Sequence, residues 1–254
     1  MEGVELSAKF ALMPNSLGHC GTDWFAGLYD RYLRGKASAW QLKAELRNFT
    51  AHFNYLKLIA DCNGMRPFDM PVVEAFWLGN ELLGNVGKRD LQGMITMRFV
   101  ESGMAIERAR RIAGNIPEGA VPHHSFHVLY VGSITGKFKP SLALANKCLA
   151  RPARIREVRG EVAKAECWSV SGATERRSST ETVLLSLNGI RPEKFEKGDL
   201  VGLHWGLASA KISEAQARNA VKYTEKNLAL VKEIKKENTL AVPSFLLSKG
   251  SFTA

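Results

Sequence analysis

The sequence is poor in cysteine, with Cys20, Cys62, Cys148 and Cys167 as its four copies in 254 residues and no CxxC pair among them. That excludes a disulfide framework and a zinc ribbon, and predicts reduced thiols. No stretch approaches the ~18 consecutive apolar residues that read as a membrane span, and the N-terminus lacks the basic-then-apolar order of a signal peptide. A cytoplasmic location without membrane insertion is the expectation. Internal repeats and low-complexity segments are also missing, so neither a repeat array nor a biased tract organises the chain.

What is present is ordinary globular material: 45% hydrophobic and 24% charged residues, enough for one large domain or two modest ones. The formal net charge is +10, and from Asn146 onward 19 Lys and Arg face 12 Asp and Glu. Such a surplus suits an acidic partner surface or nucleic acid. A solvated basic surface explains it equally well, because the basic residues are scattered and few aromatics interleave with them.

Residues 1 to about 145 read mainly as helices. Ser38 with Gln41 forms a capping box, followed by Leu42, Leu46, Phe49, Phe53, Leu56 and Ala60 at helical intervals. The spacing predicts one long helix ending near Asn63-Gly64. Before it, Thr22 is placed to cap a helix carrying Trp24 to Leu33. After it, Asp69 with Pro71 opens a helix carrying Val72 to Trp77, Asn80 and Leu83. Residues 90 to 113 continue the pattern with a break near Gly103 and a basic face at Arg108, Arg110 and Arg111, and Pro117 to Pro122 reads as a loop.

From Arg151 the periodicity changes to two. Runs at 151–158, 162–170, 182–187 and 200–205 predict short strands forming a small barrel, with 171–179 as an exposed, mobile hairpin loop. Ser213 with Gln216 then opens a helix whose Ala217, Ala220, Val221, Leu228, Val231 and Ile234 mark a buried stripe, and the apolar tail Leu240 to Leu247 is expected to dock on the body. The fold class is α+β: a helical domain over 1–146 and a β-barrel with a C-terminal helix over 147–254.

Two stretches stand out in the second part. Cys148-Leu149-Ala150-Arg151-Pro152 puts a thiol just before a strand. The run from Gly198-Asp199 through His204 to Gly206 and Ala208 puts a histidine where another strand ends. With the barrel between them and a helix after them, residues from about Lys147 to Leu230 resemble the HypC/HupF family of [NiFe]-hydrogenase assembly chaperones. That resemblance implies a small OB-like barrel and a transient iron bearing cyanide and carbon monoxide. It also implies contact with a hydrogenase large-subunit precursor or a maturation protein. Carried over by position, Cys148 and His204 would be the iron ligands, and Cys148, Pro152, Gly198, Asp199, His204 and Gly206 the partner-binding positions. Lys147 and Arg151 are expected to favour the thiolate. Unlike the family pattern, in which the cysteine stands at a chain terminus, Cys148 is internal, so no α-amino group accompanies it.

The densest set of candidate ligands is His123, His124 and His127. His123 and His127 share a face on either a helix or a strand, and His19 or Cys20 could complete a metal site. The bland alternative is histidines bonded to loop carbonyls. Pro14 to Gly21 could be an anion-holding turn, though it lacks P-loop spacing. Glu74 and Glu81 could pair on the Trp77 helix, with Asn80 beside them satisfied by backbone. Cys62 and Cys167 read as core residues. The leading expectation is a non-catalytic hydrogenase-assembly protein. Its rivals are a metal-dependent enzyme built on the three histidines and, last, a nucleic-acid-binding barrel.

Overall fold

The computed structural model describes residues 2–132, 142–171 and 175–237. The tail Leu240–Leu247 and the side chains of Val231 and Ile234 lie outside the described residues. The chain is mixed α+β: a helical part, a five-stranded sheet and a long C-terminal helix. No helix among the described residues is long and apolar enough to cross a membrane.

The centre of the helical part is α1, Gly3–Ser16, which no periodic signal marked. Val4, Leu6, Ala8, Phe10, Ala11 and Leu12 are all buried, on every side of the helix, so no polar stripe reveals it. Even Lys9 is only 3% exposed, held by Glu5 at 3.0 Å and Glu193 at 3.1 Å. Around α1 pack α2 (Phe25–Leu33), α3 (Ala39–Leu46), α5 (Met70–Trp77) and two strands of the sheet.

The capping box of Ser38 and Gln41 forms, but the single long helix does not. It is split into α3 and α4, Thr50–Asn63, by a break at 47–49. The reason is that the apolar stripe serves two cores. Leu42, Leu46 and Phe49 join a cluster with Phe25 and Tyr29, while Leu56 and Ala60 join the main one. Phe49 lies edge-on to Phe25 at 4.7 Å and leaves no room for a Cβ on Gly21. Thr22 does not cap α2 either; the N-cap residue is Trp24, and the Thr22 hydroxyl bonds the Glu45 carboxylate.

Asp69 and Pro71 start α5, which stops at Trp77; Glu81–Asn85 is a separate 3₁₀ turn. Asn80 is satisfied by backbone as expected, donating to the Pro71 carbonyl at 2.8 Å and accepting from the Leu82 N–H at 3.1 Å. Next come α6 (Lys88–Gly93), running into a π-helical stretch Met94–Phe99, and α7 (Ile106–Gly114). After the loop, α8 (His124–Phe126) widens into π-helical turns over His127–Val131. Such widened turns reorient side chains and recur at functional sites. The last helix before the sheet is α9, Leu142–Cys148.

The strands are β1 (Arg151–Arg159), β2 (Val162–Ser171), β3 (Glu175–Leu184), β4 (Leu200–His204) and β5 (Leu207–Lys211). Pairing runs β1-β2-β3-β5-β4 and closes back on β1. Alternate residues Ala153 and Ile155, Ala163, Ala165 and Cys167, with Val201 and Leu203, fill its inside, as a period of two requires. The expected hairpin loop over 171–179 is largely strand: β3 pairs with β2 from Ser171↔Glu175 to Val162↔Leu184. β5 carries no alternation signal: it is five residues long, and its Leu-Ala-Ser-Ala run before Lys211 has no clear apolar–polar period. Finally α10, Glu214–Glu237, starts on a working Ser213/Gln216 capping box. The main apolar cluster runs across position 146, taking in Phe10 and Trp77 as well as Leu149, Ala210, Ile212 and Leu228.

Candidate metal centre

His204 closes β4 at a tight hairpin whose two central residues both have positive φ, Trp205 at 55° and Gly206 at 78°. A two-residue turn of this hand fits the strand twist, and glycine takes its position at no steric cost, whereas Trp205 is held there against its preference. What holds it is its backbone N–H, which donates to the Lys147 carbonyl at 2.7 Å. That bond ties the hairpin to the end of α9. On the inner side, the imidazole Nδ1 of His204 lies 2.5 Å from the Phe10 carbonyl of α1. A carbonyl can only accept, so the proton is on Nδ1 and the lone pair is on Nε2. Gly202 makes the approach possible, since a Cβ there would stand 2.7 Å from the Phe10 ring.

Cys148 is the last residue of α9. Asn146 anchors the helix to β2 by exchanging two bonds with Val170, at 2.7 and 2.9 Å. Cys148 as a residue is partly exposed, while its thiol is desolvated. Desolvation pushes its pKa up to about 12, opposed by the neighbouring Trp205 indole. The expected help from Arg151 is not given: its guanidinium makes a bidentate pair with Glu181 at 2.9 and 3.0 Å and also donates to the Trp168 carbonyl. Burial raises the pKa of Cys20, and the nearby Cys148 raises it further.

The third residue is His124, the first of α8. It lies 5.1 Å from the His204 ring and 4.5 Å from Trp77, centroid to centroid, and its Nδ1 is buried without a hydrogen-bond partner. His204 Nε2 is in the same condition; the Cys148 carbonyl lies near the ring and favours its protonation, but makes no aligned bond with that nitrogen. One ligand atom from each of His124, Cys148 and His204 falls within 4.8 Å of the others. Among the described residues this is the group of three that could hold a metal.

The surroundings favour neutral imidazoles. Burial lowers His204 to about 4 and, with help from His204, lowers His52 to about 3; His124 is pushed well below its ordinary value by burial and then by its four histidine neighbours. Neutral imidazole is the ligand form, and a thiolate with two imidazoles is a soft-to-borderline donor set suited to iron, zinc or copper(I). The residues therefore fit a metal ion. The thiol, protonated by itself, would lose its proton on coordination.

A family model, a family of unknown function designated DUF6390, matches residues 1–238 and so spans all three of these side chains. The chain belongs to the DUF6390 family. No curated protein and no solved structure matches it.

In this DUF6390 chain, Cys148 and His204 converge, as a shared site requires. The histidine triplet does not act as one unit. His123 turns away to bond Ser125 Oγ at 2.8 Å beside Tyr223, and His127 sits among Tyr55 and Phe99 near Arg108. The remaining partner-site positions hold the sheet together: Pro152 pairs with Gly202 across β1 and β4, Gly198 donates through its backbone to the Ile155 carbonyl, and the Asp199 carboxylate accepts from the Glu196 N–H and pairs with Lys211. Pro14 to Gly21 is no helix-start anion turn. It leaves the end of α1, is locked by Asn15 to the carbonyls of Cys20 and Thr22, and lays His19 against Trp205 at 4.3 Å. Glu74 and Glu81 do not share a helix, and Glu74 accepts from Gln216. Trp205, Phe10 and His52 went unnoticed in the sequence; only Trp205-Gly206 carried a signal there, as a turn.

Proposed function

We propose that this protein carries or hands over a metal-containing group during assembly of a metalloenzyme, in the manner of HypC/HupF chaperones of [NiFe]-hydrogenases, in the cytoplasm. The observation that carries the reading is the meeting of Cys148, at the end of α9, with His204, at the tip of the β4–β5 hairpin. The closed ring of five short strands followed by a helix is the architecture this reading requires. An iron bearing cyanide and carbon monoxide would supply a preformed cofactor fragment to the client. The chain's own residues hold it: the thiol gives up its proton to become a soft ligand, His204 is oriented by the Phe10 carbonyl, and Trp77 and Phe10 exclude water from the inner side. Cys148 is partly exposed as a residue, so α9 ends near the surface, and a partner has to displace what covers the desolvated thiol to reach it.

Anaerobic purification from the native host, with infrared spectroscopy for cyanide and carbon monoxide and identification of co-purified proteins, tests this directly. A hydrogenase large-subunit precursor or a maturation protein should co-purify, and Cys148→Ala should abolish its capture. Equal recovery of the same partners with and without Cys148 overturns the thiol mechanism.

A metal-dependent enzyme is the second reading, favoured by the three-ligand set, because catalytic metals keep a position open for substrate. Turnover that depends on bound metal, with no stable protein partner, would decide for it.

A further inference from the structure

We infer that His124, Cys148 and His204 form one mononuclear centre for a first-row transition-metal ion, in which the helical part supplies a ligand that the α9–sheet region lacks. The inference rests on the metal-handling reading above and deepens it by naming the third ligand and the class of ion. Three observations carry it. The ligand atoms lie within 4.8 Å of one another although their residues come from α8, α9 and the end of β4. Two of the nitrogens, His124 Nδ1 and His204 Nε2, are buried and unbonded, on side chains whose residues are 5% and 2% exposed. Buried polar atoms normally find partners; His123 Nε2 also lacks one, but His124 and His204 are the two that stand with a thiol in one group of possible ligands.

The second ring nitrogen of His204 is held by the Phe10 carbonyl, the arrangement by which proteins fix the tautomer of a ligating histidine. Donor chemistry narrows the ion: one thiolate and two imidazoles exclude calcium and magnesium, which take oxygen ligands, and select iron(II), cobalt(II), zinc(II) or copper(I). Three protein ligands leave a fourth position for an exogenous ligand. Binding breaks the Cys148 S–H bond, the proton passing to solvent and the electron pair to the metal–sulfur bond. No redox change is involved. Because the ligands come from both parts of the chain, the ion also cross-links them, so binding raises resistance to unfolding.

The test is anaerobic titration of the full chain with cobalt(II), whose thiolate complexes absorb by charge transfer, followed by thermal unfolding with and without the ion. One equivalent should bind with a charge-transfer band and a raised Tm. Cys148→Ser should abolish the band. His124→Gln should weaken binding by more than ~10-fold, since losing a ligand costs at least as much as losing an outer partner of one. His123→Gln, next to His124 in sequence but outside the ligand set, should bind like the parent, and far-ultraviolet circular dichroism of each variant checks that it folds. Failure of the parent chain to bind cobalt(II), zinc(II) or iron(II) overturns the centre. So does unchanged affinity in a folded His124→Gln. If His124→Gln still captures the assembly partner while its cobalt affinity is intact, the three-ligand centre falls and the assembly reading stands. If cobalt binds as described but nothing is captured from the host, the centre stands and the assembly reading falls.

Discussion

His123 and His124 are neighbours in sequence, equally buried, and opposite in fate. His123 belongs to a polar network in which Ser125 Oγ meets Asn227, and Asn227 in turn exchanges bonds with both backbone groups of Val121. His124 points to the other side of the same short helix, against Trp77, His204 and Cys148, with its Nδ1 unbonded. Each ring keeps one buried nitrogen without a partner, Nε2 on His123 and Nδ1 on His124. In the first region the other ring nitrogen is tied into a hydrogen-bonded network, and in the second the ring has a thiol and a further imidazole for neighbours. Burial is common to both and therefore identifies neither; what each ring faces does.

Acid titration breaks both regions and has the largest expected effect. His52, His123, His127 and His204 are held by burial at about 3, 3, 4 and 4, all below the ordinary 6.5. The unfolded chain therefore takes up protons below pH 6.5 that the native state refuses. Stability is complete above that pH and falls as pH drops toward 4, by roughly 1.4 kcal/mol per pH unit for each histidine. Urea denaturation of the metal-free protein should show a loss of several kcal/mol between pH 6.5 and pH 5. A flat profile over that range would contradict neutral buried imidazoles.

Asn227→Ala attacks the stable region alone. It strips partners from the N–H and carbonyl of Val121 and from Ser125, each buried group costing about 1–3 kcal/mol when left unpaired. A loss of about 3 kcal/mol in urea is expected, with cobalt affinity unchanged in the fraction that remains folded.

Gly202→Val attacks the other region. Its side chain would collide with the Phe10 ring, and overpacking of this kind costs ~1–3 kcal/mol. Because Phe10 presents the carbonyl that orients His204, cobalt affinity should fall together with stability, which equilibrium titration and urea melts on one sample will show.

The smallest effect sharpens the contrast most. His124→Leu removes an unbonded buried nitrogen for an apolar group, a change that is often nearly neutral or stabilising, within about 1 kcal/mol. His123→Leu leaves Ser125 short of a partner and should cost ~1–2 kcal/mol. Reversal of that order in the metal-free protein would show that the two regions had been assigned the wrong way round.

Much of the local structure was legible. The capping boxes at Ser38/Gln41 and Ser213/Gln216, the Asp69–Pro71 helix start, the loop before His123 and the strands from Arg151 all follow from chemistry within a few residues. The helix α1 was not legible, because a helix apolar on all sides leaves no stripe. Nor was the break at 47–49, since one apolar stripe can feed two cores only when both cores exist. Two of the three residues of the candidate site were readable, as Cys148 and His204; the third, His124, was one of three candidate histidines that spacing could not rank, because His123 and His127 share a face and His124 does not.

The sequence by itself determined that a thiol and a histidine bracket a small β unit, and that three more histidines enter one short segment. Only the tertiary structure decided which of the three joins them. That choice depends on the direction in which α8 presents each ring once Phe10, Trp77 and α10 are packed around it, and direction is a property of packing between distant segments, to which spacing along the chain is blind.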